Sequence, residues 1–299
     1  MVQSWIPQVR DQAGIDGTYS PIGSGGGIRA ITDRTVDFGA SDAPLTPEQA
    51  RDCKGCLLIP WALSATTLAY NLPGADRDLR LTGPVVADIF LGKITNWSDP
   101  RIKRLNPGKQ LPDRGIGPIV RSDPSGDTYA FTSYLSKVSP EWRAKVGSGT
   151  SVDFPKGAGS KGNYGLAGAI TRTPGALGYI SVAYAVRNKL DVASIQNAAG
   201  RFVRPEPAGI GAAAEAMDRL ASDDSISIVD PPASAKSAYP ISTFTYAIVP
   251  KDSPKATELK QFLGYAVGPG QRFAERFDFA RLPARVAALA KATIARIGS

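Results

Sequence analysis

Two long strand-like segments, one in the first quarter of the sequence and one in the last, constrain what this chain can fold into. Residues 64–71 and 241–249 both read as long strands. Between and around them, short β-branched or aromatic runs alternate with helical stretches, which argues for α/β layers. Segments 17–22, 36–40, 57–59 and 116–121 read as further strands, and 174–179 turns into one. Segments 26–35, 47–52, 82–91, 126–138, 166–173, 209–221, 257–267 and 270–277 read as helices, while 93–108 mixes loop and short helix. Residues 283–297 form a terminal amphipathic helix with Val286, Leu289, Ala290, Thr293 and Ile297 on one face. If both long strands cross between halves of the molecule, the chain ends (1–70 plus 242–299) build one lobe and the middle (71–241) builds the other. A length of 299 residues suits two ordinary domains or one large one, and no internal repeat or low-complexity linker interrupts it.

Composition removes several function classes. The chain is 42% hydrophobic and 21% charged, as globular chains are, and it contains no apolar run long enough for a membrane-spanning helix. Its net charge of +8 is scattered rather than clustered among aromatics, which speaks for a basic surface and against a nucleic-acid face. The same field would steer a small anion inward. The absence of histidine removes Ser-His-Asp and Cys-His catalysis and most zinc sites. The two cysteines form Cys53-Lys54-Gly55-Cys56 with no thioredoxin-like context, so a structural role is expected. In an oxidising compartment they would pair with each other; in a reducing one they would be ordinary thiols. The opening Met1-Val2-Gln3-Ser4-Trp5 has neither a basic nor an apolar leader region, so no signal peptide is expected in this chain.

The chemistry concentrates in two segments. Residues 22–45 read IGSGGGIRAITDRTVDFGASDAPL and residues 120–135 read VRSDPSGDTYAFTSYL. Each sets a Ser-Gly turn before a helix, at Ser24 and at Ser125-Gly126. A helix start presents unpartnered N–H groups and the positive end of the dipole, so two of them facing each other would hold a small anion. Arg121 adds a forked cation, and Asp123, two positions on, would hold its guanidinium. Asp42 and Asp127 add negative charge, which suits an anion site only when the anion carries protons to donate. Each feature has a plainer reading: the glycines as a tight turn, Asp42 as a turn cap, Asp127 as a helix N-terminal carboxylate. Residues 157–162 (GAGSKG) lack the ending of a phosphate loop and read as a structural loop.

The segments GSGGGIRAI, TVDFGASDAPLT, FLGKITNWSDPRIKRLNPG, RSDPSGDTYAFTSYL and PGALGYI resemble the phosphate-binding protein of the high-affinity phosphate ABC transporter, the PstS family. The resemblance runs from Trp5 to the terminal helix. It implies a two-lobed, type II periplasmic binding protein of the α/β class that closes over its ligand, with two crossover strands as hinge. By the same resemblance Ser24, Asp42, Arg121, Ser125 and Gly126 match phosphate-contacting positions. Asp127 matches a position that is a hydroxyl residue in many members and Asp in others. Family members also carry a signal sequence, a first strand and a ligand-contacting loop ahead of the helix that bears Trp5. The resemblance therefore implies a missing strand between the segments 17–22 and 36–40, so that those two strands are separated by a gap, have another segment between them, or collapse together.

The expectation is a solute-binding protein, not an enzyme and without a cofactor. It takes inorganic phosphate outside the inner membrane, at the periplasm or cell surface, and passes it to the permease and ATPase subunits of an ABC importer. It is expected to be a monomer with no nucleic-acid partner. The rival readings are a phosphate-ester hydrolase on the same scaffold, a binder of sulfate or molybdate, and a truncated sensor that no longer binds.

Overall fold

A computed structural model of the protein describes residues 1–217 and 227–299. Its helices are α1 (Val2–Ala13), α2 (Gly23–Thr32), α3 (Pro47–Asp52), α4 (Gly83–Phe90), α5 (Pro100–Leu105) and α6 (Gly126–Val138). There follow α7 (Pro140–Lys145), α8 (Gly162–Arg172), α9 (Val182–Arg187), α10 (Pro207–Glu215), α11 (Ala256–Val267) and α12 (Ala284–Ala295). The strands are β1 (Gly39–Ser41), β2 (Cys56–Asn71), β3 (Arg80–Leu81), β4 (Gly117–Arg121) and β5 (Ala158–Ser160). The later strands are β6 (Ala176–Ser181), β7 (Asp191–Val192), β8 (Ser194–Gln196), β9 (Phe202–Val203) and β10 (Ser242–Pro250).

One mixed sheet runs through the described residues in the order β1-β10-β2-β6-β4-β5, with β7 also on β2, and β3-β8-β9 make a small second sheet. β2 is the element that joins its halves. Residues 57–59 and 64–71, read as separate strands, are one 16-residue strand. Pro60 lacks the N–H a regular ladder needs, and the register with β10 shifts there, so that Trp61 is skipped. The first part of β2 pairs with β10 as far as Ala65↔Ser242; from Thr66 onward it pairs with β6. β2 is thus a crossover strand. β10 pairs with β2 from Ser242 onward and, from Tyr246 to Ile248, with β1 as well.

The expected strand at 17–22 does not form. The Ile22 N–H turns back onto Ser20 O (2.9 Å), and Gly23, at φ 78°, redirects the chain into α2. β1 therefore has β10 on one side, and on the other borders a cavity of about 1580 Å³. That cavity is lined also by Trp61, Ala62 and Ser64 of β2 and by Thr245 of β10. Residues 158–160, read as loop, pair with β4 as β5, and the Gly-rich stretch opens directly into α8. The helix expected at 270–277 is two 3₁₀ segments, Pro269–Phe273 and Glu275–Phe277, and the chain then leaves through Asp278 in the left-handed region. Helix α10 covers the start of the expected 209–221; residues 218–221 lie outside the described residues.

Aromatic packing holds the two ends of the sheet. Trp5 of α1 meets Trp61 edge-on at 5.3 Å and ties to Gly270 O through its indole N–H (2.9 Å), while Phe38 packs on Trp61 at 5.5 Å. On the other side Phe131 of α6 stacks on Tyr179 of β6 at 4.5 Å. Cys53 and Cys56 are disulfide-bonded at the turn between α3 and β2, where Arg34 donates to Cys53 O at 2.9 Å. No helix among the described residues is long and apolar enough to cross a membrane.

Candidate functional site

The site is built where α2 and α6 meet. α2 lies against β1 with no room for a side chain at Gly27, whose Cβ would come within 2.3 Å of Ala40 O. That contact lets the start of α2 reach the residue following β1: the Asp42 N–H donates to Ser24 Oγ at 3.1 Å. On the other side β4 ends at Arg121, and the turn Ser122-Asp123-Pro124 leads into α6. Ser125 caps that helix by accepting from the Asp127 N–H at 3.1 Å. The two helix starts touch. The Gly25 N–H reaches Pro124 O at 3.3 Å, and a Cβ on Gly126 would stand 2.5 Å from Asp42 Cβ and 2.6 Å from Ser24 Oγ.

All six expected contact residues, Ser24, Asp42, Arg121, Ser125, Gly126 and Asp127, come together here. Asp123 does what the sequence reading assigned it. It takes Arg121 Nε at 2.8 Å and Nη2 at 2.5 Å, and also the Gly162 N–H at 2.8 Å. Burial works to raise the Asp123 carboxyl, but those donors outweigh it and hold it below the usual carboxylate range. Arg121 Nη1 points to Asp127 Oδ2 at 3.4 Å.

Three side chains that the sequence reading passed over orient the carboxylates. Thr245 of β10 donates to Asp42 Oδ1 at 2.6 Å, and Thr66 of β2 donates to Asp127 Oδ1 at 2.8 Å. Asn163, in the first turn of α8, donates to Asp127 Oδ2 at 3.0 Å. Nothing local distinguishes the two threonines, since Ser64 and Thr67 stand beside Thr66 and Ser242 and Thr243 precede Thr245. Asn163 directly follows the stretch 157–162 read as a structural loop. Burial pushes the Asp42 carboxyl up to about 6, with Asp127 adding to the rise and Thr245 and Arg121 pulling against it. Burial also raises Asp127, against Arg121, Thr66 and Asn163. Ser24, Asp42, Arg121 and Asn163 all line the large cavity, whose further wall carries Tyr164 and Tyr184.

Helix starts meeting at one cation, with protonatable carboxylates beside it and a crossover strand beneath, define a cleft-binding protein for a protonated oxyanion. The family description "PBP superfamily domain" matches residues 1–269. The "Phosphate-binding protein PstS" of Xylella fastidiosa (strain Temecula1) is 39% identical over 287 residues, covering 95% of this chain and 78% of that protein. Its namesake in Pasteurella multocida is 38% identical, covering 94% of this chain and 83% of the other. The solved structure of a high affinity periplasmic phosphate-binding protein (PfluDING) bound with phosphate shares the fold, with a TM-score of 0.75 at 21% identity over 96% of this chain and 91% of that one. The chain belongs to the PBP superfamily and, within it, to the PstS family of phosphate-binding proteins.

Proposed function

We propose that this protein captures inorganic phosphate in the cleft between its lobes and delivers it to an ABC permease for import. The observation that carries the reading is the convergence of Ser24, Asp42 and Arg121 with the start of α6 at one point of the cleft. A buried anion must exchange its water for a full set of donors. The Ser24 and Ser125 hydroxyls, the Gly126 N–H at the start of α6 and the free part of the Arg121 fork supply them. Asp42 accepts a ligand proton. Sulfate at neutral pH has none to offer and would leave that carboxylate facing negative charge, which rejects it.

The relatives are named as phosphate-binding proteins, which supports a reading of capture without turnover for this chain. Residues 1–70 plus 242–299 form the first lobe and 71–241 the second, with Ser24 and Asp42 on one and residues 121–127 on the other. The protein works at the periplasm or cell surface, as a monomer, with the permease and ATPase subunits of the importer as partners. Titration calorimetry with inorganic phosphate tests the reading: saturable binding undisturbed by a large excess of sulfate is expected. Effective competition by sulfate overturns it.

A further inference from the structure

The cavity beside the helix starts offers far more room than a bare phosphate uses. Its volume is about 1580 Å³. A phosphate ion fills only a few water volumes, at about 30 Å³ each. Ser24, Asp42 and Arg121 occupy one part of the wall. Elsewhere the wall is apolar in an unusual way. Among the described residues, the large apolar side chains left exposed are Ile22, Val36, Tyr164 and Val186, and all four line this cavity. Ile22 and Val36 flank α2, while Tyr164 belongs to α8 and Val186 to α9. Exposed apolar surface gathered at one concave place marks a site for an apolar group.

The aromatic part of that wall is held in a fixed shape. Tyr164 follows Asn163, whose amide donates to Asp127 at 3.0 Å, so the phenol stands one residue from the oxyanion point. Its ring meets Tyr184 edge-on, with centroids 4.9 Å apart and planes at 84°. The Arg187 guanidinium lies 5.8 Å from the centre of the Tyr164 ring, and its Nη1 donates to the phenol oxygen at 3.2 Å. Two rings at right angles make a corner that offers a third ring one face and one edge, the arrangements aromatic partners prefer. Tyr184 lies within electrostatic reach of Asp127 and Arg121. Tyr19, stacked on Phe38 at 6.4 Å, lies within reach of Asp42 and Tyr184. The corner therefore adjoins the oxyanion point. Burial raises both of these phenols, Tyr19 to about 12, so neither adds charge where an anion binds.

We propose that the cavity also takes phosphate monoesters whose organic group carries an aromatic ring, with the phosphoryl group at the helix starts and the ring in the Tyr164–Tyr184 corner. A monoester keeps three non-bridging oxygens for Ser24, the Gly126 N–H and Arg121, and its ester oxygen leads the organic group toward the corner. Charge and shape together choose this occupant. An apolar body alone leaves the helix starts and Arg121 without an anion, and a bare phosphate leaves the corner in water. The inference rests on the phosphate reading given above.

Titration calorimetry of the full chain with inorganic phosphate, phenyl phosphate and methyl phosphate tests it. Phenyl phosphate should bind at one site, be displaced by inorganic phosphate, and exceed methyl phosphate in affinity by about tenfold. Tyr164 is 58% exposed, so its replacement leaves the core intact. Tyr164→Ala should weaken phenyl phosphate by about tenfold and leave inorganic phosphate within about twofold. Tyr164→Phe keeps the ring and should keep the phenyl phosphate affinity. A purely structural role for Tyr164 would move both ligands together. Three results each overturn this inference alone: phenyl phosphate binding no tighter than methyl phosphate, binding that inorganic phosphate does not displace, or an unchanged ratio of phenyl phosphate to inorganic phosphate affinity in Tyr164→Ala. Failure of the folded wild type to bind inorganic phosphate overturns the phosphate reading and this inference with it.

Discussion

Arg121 spends much of its fork on Asp123 and Asp127, so what remains for a ligand is a directed pair of donors rather than a free charge. Arg121→Ala removes the site's cation while leaving its carboxylates in place; calorimetry should show phosphate binding weakened by about 2–5 kcal/mol. Asp42 has the opposite sign. Its carboxyl is raised in the fold to about 6, so the folded protein holds the proton more tightly than the unfolded chain does. By linkage, Asp42 destabilises the ligand-free protein as pH rises through that value. Asp42→Asn keeps the acceptor for Thr245 and abolishes the ionisation. Its melting temperature should exceed the wild type's at about pH 8 and approach it only towards about pH 4, and sulfate should now compete with phosphate. Equal melting temperatures at alkaline pH would show that Asp42 carries no buried charge. At this scale the sequence displayed Ser24, Asp42, Arg121, Asp123, Ser125, Gly126 and Asp127, because helix starts and a cation with its counter-charge have local patterns. Thr66, Asn163 and Thr245 have none: each acts on a carboxylate distant in sequence.

At the scale of elements, α6 emerged with the bounds the sequence suggests, since Ser125 caps it locally and Phe131, Tyr134 and Leu135 give it a buried face. α2 and β1 shifted by several residues because tertiary contact sets their limits. Gly27 lies against Ala40 O and Gly39 against Gly27 O, so helix and strand are placed by backbone approach. Gly27→Ala should push α2 off β1 and lower stability by about 1–3 kcal/mol in denaturant titration. Phosphate affinity should fall with it, because Ser24 rides on the same helix. An affinity unchanged in that variant would separate the Ser24 hydroxyl from ligand binding. The break expected between the strands 57–59 and 64–71 became a register shift at Pro60 within β2, because a long segment gains more from a continuous ladder than it loses at one missing donor.

At the scale of the whole molecule, the site exists only where two parts of the chain approach. Ser24 and Asp42 come from one side of the β2 crossover and Arg121 to Asp127 from the other. Ligand should therefore drive closure about β2 and the chain entering β10, the hinge motion such clefts use. Small-angle scattering should show a smaller radius of gyration on adding phosphate, and no compaction for Arg121→Ala at the same phosphate concentration. Compaction of that variant equal to wild type would mean that closure does not depend on the site.

The sequence by itself determined the α/β class, the two helix starts, the pairing of Arg121 with Asp123 and the family, because each is written in residues close together along the chain. Tertiary structure decided the rest. The segment at 17–22 became a turn, its Ile22 N–H closing on Ser20 O, and the pairing of β10 along β2 and β1 joined segments some two hundred residues apart. The protonation balance of the cleft was equally beyond local reading. It arises from three carboxylates and one guanidinium brought within reach of each other by separate elements, and charge in a buried space is set by neighbours in three dimensions.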